Sequence, residues 1–153
     1  MSFSLEVQTT SRPSDLAAIW KPALAKKGIT VEFPPGFTLE NCSGVLVFKV
    51  TSAPAELTRL DVNKEVSAYF ELSADEEGFL FSTASGRTTV DFATQCLCAA
   101  ALAEHLDAIY FDPQMEESAR GADAYKLAMV EIEYFISDQN EEVFREFIDW
   151  ETI

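Results

Sequence analysis

Residues able to do chemistry are few in this 153-residue chain, and they are scattered. His105 is its only histidine. A lone imidazole can move protons, but metal sites recruit several ligands. No second His, no CxxC and no H-E-x-x-H accompanies it. Close to the end of a helical pattern, its simplest role is as a dipole partner. Ser85-Gly86-Arg87-Thr88-Thr89 precedes a helix start, where backbone N–H groups can hold a phosphate and Arg87 would add charge. It lacks a Walker lysine and a GxGxxG pattern, and capping alone accounts for Thr88 and Asp91.

Asp107 and Asp112 flank a short apolar run, with Glu116 and Glu117 close behind. Carboxylates near a strand end can bind Mg²⁺ or act as acid and base. Their spacing fits no EF-hand loop, and turn acids commonly cap and solvate. Together these residues allow one functional reading: a small-molecule-binding protein or enzyme of unassigned reaction, with a pocket near Arg87, Cys96, His105 and Asp112. No residue is assigned a catalytic role, and no cofactor or metal is expected.

A stronger signal is charge. Residues 1–64 carry seven Lys/Arg against six Asp/Glu, and residues 65–153 carry four against twenty. The halves differ as +1 and −16, and they sum to the net −15 of the chain. Such an imbalance favours a cationic partner over nucleic acid or an anionic membrane. The twelve Phe and two Trp show that this is not the acidity of a disordered tail.

Three cysteines, Cys42, Cys96 and Cys98, form no disulfide pattern. On a helix, Cys96 and Cys98 point about 200° apart and cannot readily pair. Reduced thiols and a cytoplasmic location are expected. No apolar run approaches the roughly 18 residues of a membrane span. The opening MSFSLEVQTT lacks the basic and apolar regions of a signal peptide.

The elements that must position these residues follow from periodicity. Phe3–Val7, Ile29–Phe33, Val66–Leu72, Phe79–Thr83 and Ile109–Phe111 read as strands, the third and fourth forming a hairpin. Gly44–Val50 reads as a strand buried on both faces, hence central. Ser14 is the expected N-cap of a helix running to about Lys27, shortened or kinked by Pro22 and ended by Lys26-Lys27-Gly28. Residues 52–65 allow a short helix around Leu57 and Leu60.

Thr88–Leu106 is the clearest helix, opened by a capping box in which Asp91 replaces the usual Glu, and its Ala-rich centre predicts burial. Residues 115–128 read as helix, weakened by Gly121; Val130–Tyr134 alternates in the manner of a strand, the reading preferred, but can also continue the preceding helix. Asn140–Trp150 reads as an amphipathic helix with Val143, Phe144, Phe147 and Ile148 inward. Its opposite side presents Glu141, Glu142, Glu146 and Asp149, the candidate partner-binding residues.

The expected fold is a single α+β domain over residues 1–153. A mostly antiparallel sheet of five to seven strands carries the buried helix 88–106, with helices mainly on one face. The leading functional expectation is a small acidic binding protein for a basic protein. One form is an immunity or inhibitor protein that neutralises a cationic toxin such as a nuclease. Self-association is also open, because the aromatic content could supply an apolar interface.

Overall fold

Apolar–polar alternation shapes most strands in the computed structural model, which describes residues 3–11, 15–35, 46–53, 68–83 and 89–138. Strand β1 is Phe3–Gln8, and helix α1 is Leu16–Ala25. Next come β2, Thr30–Glu32; β3, Leu46–Ser52; β4, Ala68–Asp75; and β5, Gly78–Thr83. Helix α2 is Thr89–Leu106, followed by β6, Ile109–Asp112, β7, Glu117–Arg120, and helix α3, Ala122–Asp138. The strands form one sheet in the order β2-β3-β4-β5-β1-β6-β7, every neighbouring pair antiparallel. The fold is α+β. Among the described residues no helix is long and apolar enough to cross a membrane.

Helix α1 is capped by Asp15, whose carboxylate accepts from the Ala18 N–H at 3.1 Å. The expected cap, Ser14, lies outside the described residues. Pro22 is accommodated inside the helix, which ends at Ala25. Gly28 then takes φ 75°, and the Ile29 N–H reaches back to the Leu24 carbonyl at 3.0 Å. That six-residue closure needs a left-handed residue, which glycine adopts without strain.

The core lies between one face of the sheet and the three helices. Trp20 of α1 is fully buried and sits 5.6–6.2 Å, ring to ring, from Phe33, Phe48, Phe70 and Phe81. Helix α2 is buried throughout its central stretch, Cys96 to Ala103 included, as its composition predicted. It is covered by the sheet below and by α1 and α3 on its flanks. A helix buried on all sides requires small residues where neighbours approach closely, and Ala99, Ala100, Ala101 and Ala103 supply them.

Three expectations are corrected. Residues 115–128 are not one helix: Glu117–Arg120 pairs with β6 as an edge strand, and α3 begins only at Ala122. Gly121 is the hinge between them, at φ 57° with its N–H bonded to the Ala108 carbonyl at 3.0 Å. Val130–Tyr134 is helix, not strand. Ala124, Ala128, Glu131 and Ile132 are buried while Val130 and Tyr134 are exposed, a period of three to four rather than two.

The third concerns β3, which is buried on one face only. Phe48 and Val50 are buried, but Val47 is 53% exposed and Lys49 is exposed, because no described helix lies on that side. Asp91, in the first turn of α2, also reaches the sheet: its Oδ1 accepts from the Tyr69 N–H of β4 at 2.7 Å. Ser52 ends β3; Val45, Cys42, the rest of the short helix expected at 52–65 beyond Ala53, and the helix expected at 140–150 lie outside the described residues.

Candidate functional site

Strand periodicity brings Tyr110 and Asp112 of β6 to the same inner face, where both are fully buried. The turn after β6 folds back onto Asp112. Its Oδ1 accepts from the Gln114 N–H at 2.8 Å, the Met115 N–H at 3.2 Å and the Gln114 side-chain amide. Gln114 also grips β1, donating to the Ser4 carbonyl at 2.7 Å and accepting from the Ser4 N–H at 2.9 Å.

Glu131 of α3 is 8% exposed, and its carboxyl meets the Asp112 and Tyr110 side chains. The Tyr110 hydroxyl, Asp112 Oδ2 and Glu131 Oε1 are buried without a well-formed hydrogen bond among the described residues. Their interaction is nevertheless strong. Burial, then contact with Asp112 and its charge, pushes the Glu131 carboxyl up to about 9. Burial pushes the Tyr110 hydroxyl upward, with the Cys96 and Glu131 charges adding to it. Cys96 of α2 borders the cluster, and its thiol is raised by burial first and then by Glu131. Cys98 is raised by burial alone. The arrangement can store a proton. As free cysteines, both thiols are held in their unreactive protonated form.

His105 lies elsewhere. It occupies the last turn of α2, about two and a half turns beyond Cys96. With Ala23, Lys26, Lys27, Ala101 and Glu104 it lines a surface groove of about 300 Å³. There Lys27 is engaged: its Nζ is 3.4 Å from Glu104 and 3.8 Å from the centre of the Tyr125 ring. Two helix C-termini meet at this groove, so its cations offset their dipoles.

Of the pocket residues considered from sequence, Cys96 and Asp112 come together, His105 stands apart, and Arg87 lies outside the described residues. The partner-binding candidates Glu141, Glu142, Glu146 and Asp149 also lie outside them. Tyr110 and Glu131 were not singled out. The available signal for Glu131 was its place three residues after Ala128 and seven after Ala124 on one helical stripe, visible only once this segment is read as helix. No group of three or more His, Cys, Asp or Glu that could hold a metal occurs among the described residues.

A third region is the outer face of the sheet. Glu6 pairs across the sheet with Leu80, and Val47 with Glu71, placing apolar and acidic side chains side by side. Val47 and Leu80 are 53% and 40% exposed, and Glu71 is exposed. The tight Asp75–Gly78 turn adds the exposed Asp75, Glu76 and Glu77 at one end. The acidic half does not project all of its charge, since Asp91, Asp112 and Glu131 are buried. Its remaining described acids are spread over strands β4 and β7, the turns and the helices. Compared with known protein families, curated proteins and solved structures, the chain matches none.

Proposed function

We propose that this chain is a binding protein for a basic protein partner, of the immunity or inhibitor kind that neutralises a cationic toxin, and that the outer sheet face is its docking surface. One observation carries this reading: exposed Val47 and Leu80 lie beside Glu71 and Glu6 on a sheet face that no described helix covers. Apolar contact supplies affinity there, and the carboxylates select cations and speed association. Acidic groups can also occupy a site shaped for phosphates, which is how such a protein would block a nuclease. The carboxylates Glu141, Glu142, Glu146 and Asp149 extend the same preference. Free, buried Cys96 and Cys98 fit a reducing, cytoplasmic setting.

The test compares the wild type with the double variant Glu6→Lys/Glu71→Lys. Each is used to recover basic proteins from the native host at low salt, and association with the recovered partner is then timed. The reading expects the double variant to associate roughly tenfold more slowly at low salt, with the difference shrinking as salt rises. A partner that associates equally fast with both proteins overturns this surface. A dimer in sedimentation that the double variant abolishes would mean that the face binds a second copy of the chain.

A further inference from the structure

The contact between α3 and the end of β6 holds two carboxyl groups and a phenol from which water is nearly excluded. Tyr110 and Asp112 are fully buried and Glu131 is 8% exposed. The Tyr110 hydroxyl, Asp112 Oδ2 and Glu131 Oε1 are among the buried atoms left without a well-formed bond to the described residues. Two ionised carboxylates in such a place would face each other nearly out of solvent, with no cation against Glu131 among the described residues. One proton between them removes the repulsion and supplies a donor. Asp112 Oδ1 already accepts three N–H bonds from the Gln114–Met115 turn, which makes Asp112 the accepting side and Glu131 the acid.

We propose that Glu131 and Asp112 share a single proton across the α3–β6 contact, and that this proton latches α3 onto the sheet. While it is held, Glu131 donates to Asp112 and the helix is docked. Once it leaves to solvent, two negative charges stand inside the molecule. Among the described residues, the groups acting on Glu131 are Asp112 and Tyr110 on β6 and Glu117 on β7, while Cys96 of α2 borders the cluster. None of them is a cation, so none neutralises the second charge. Glu131 then recovers its hydration only if α3 moves away or water enters.

The pH dependence follows from comparing docked and open states. In the open state Glu131 titrates near its ordinary 4.5, and in the docked state near 9. Between these values opening releases one proton, so opening becomes easier as pH rises. It gains roughly tenfold per pH unit and levels off above the docked value. The latch is a property of the chain itself and does not depend on the partner-binding reading.

The test is a carbon-13 NMR titration of the glutamate carboxyls, with Glu131→Gln to identify the signal. Hydrogen exchange of the α3 amides is followed over the same pH range, corrected for intrinsic rates. The latch predicts one carboxyl titrating far above the others and absent from Glu131→Gln. It also predicts an α3 opening constant that climbs with pH in the wild type and stays flat in the variant. If Glu131→Gln does not fold, Asp112→Asn takes its place, and the high titration should fall toward the ordinary value. A Glu131 carboxyl that titrates with the exposed glutamates overturns the proposal. So does an α3 opening constant with the same pH slope in wild type and Glu131→Gln.

Discussion

The indole N–H of Trp20 donates to the backbone carbonyl of Cys98 at 3.1 Å, joining α1 to the middle of α2. The two residues are 78 apart in sequence, and both are fully buried. The bond lets the largest side chain of the core place its polar atom without loss while its ring system lies among the phenylalanines. Trp20→Phe removes that donor and leaves space behind. It should cost about 1–3 kcal/mol, read as a lower urea midpoint with an unchanged slope. An unchanged midpoint would mean that α1 contributes little to the core.

Asp91 makes a different long-range link, from the first turn of α2 to the Tyr69 N–H of β4 at 2.7 Å. Asp91→Ala leaves a strand N–H without this acceptor and should destabilise by about 1–3 kcal/mol. Asp91→Asn keeps an oxygen in place and should recover most of the loss in the same denaturation experiment. Equal losses in both variants would show that the negative charge of Asp91 matters more than its position.

Periodicity reveals most of the sheet because the sheet buries one face only. In Phe79–Thr83 the buried and outward positions alternate almost without exception. Helix α2 is legible from composition, since a stretch so rich in Ala and Leu has little use for a polar face. The Glu117–Arg120 strand is different. Its sequence, ESAR, has no apolar rhythm, and it is a strand because Ala119 lies opposite Tyr110 and the backbone completes β6. Val130–Tyr134 fits either period over five residues, and only Ala124 and Ala128 before it decide for helix.

Glu131 was hidden for a related reason. A glutamate in an acidic half reads as solvated charge, and its burial depends on α3 register and on β6 together. Val47 misled in the opposite sense. The apolar run around it resembles an interior strand, but whether the second face is covered depends on helices elsewhere in the chain.

Ala100 is fully buried at the contact surface of α2. Ala100→Leu forces three methylene-scale groups into a packed space and should lower stability by about 1–3 kcal/mol. Val130, 60% exposed on the outer side of α3, is the control. Val130→Ala should change stability by less than about 0.5 kcal/mol. Thermal melts of the two variants measured together check the contrast, and similar shifts would show that the packing assigned to α2 is wrong.

Cys96 and Cys98 are both fully buried, and burial raises both thiols. The thiolate is the reactive form, so burial protects these residues twice, by denying access and by keeping the proton on. A thiol reagent at neutral pH should leave both unmodified in the folded protein and modify both in denaturant. Mass spectrometry of the digested protein assigns the sites. Rapid labelling of Cys96 in the folded state would show that the space between α2 and β6 opens readily.

Global stability should fall as pH rises, and the sign follows from Glu131. Its carboxyl is raised in the folded state to about 9 from an ordinary 4.5. At neutral pH the folded protein therefore holds a proton that the unfolded chain has released. A group raised on folding contributes its full stabilisation below the unfolded value and loses it as pH climbs toward the folded one. Stability should decline across that window and flatten above about 9, with about 3 kcal/mol lost by neutral pH. Glu131→Gln has nearly the shape of the protonated acid and cannot ionise. It should be more stable than the wild type at mildly alkaline pH and should lack this decline, while the two proteins converge toward the acid end. Urea denaturation of both across the window supplies the measurement. Parallel curves for the two proteins would mean that other groups govern the pH dependence and that Glu131 is ionised in the folded state.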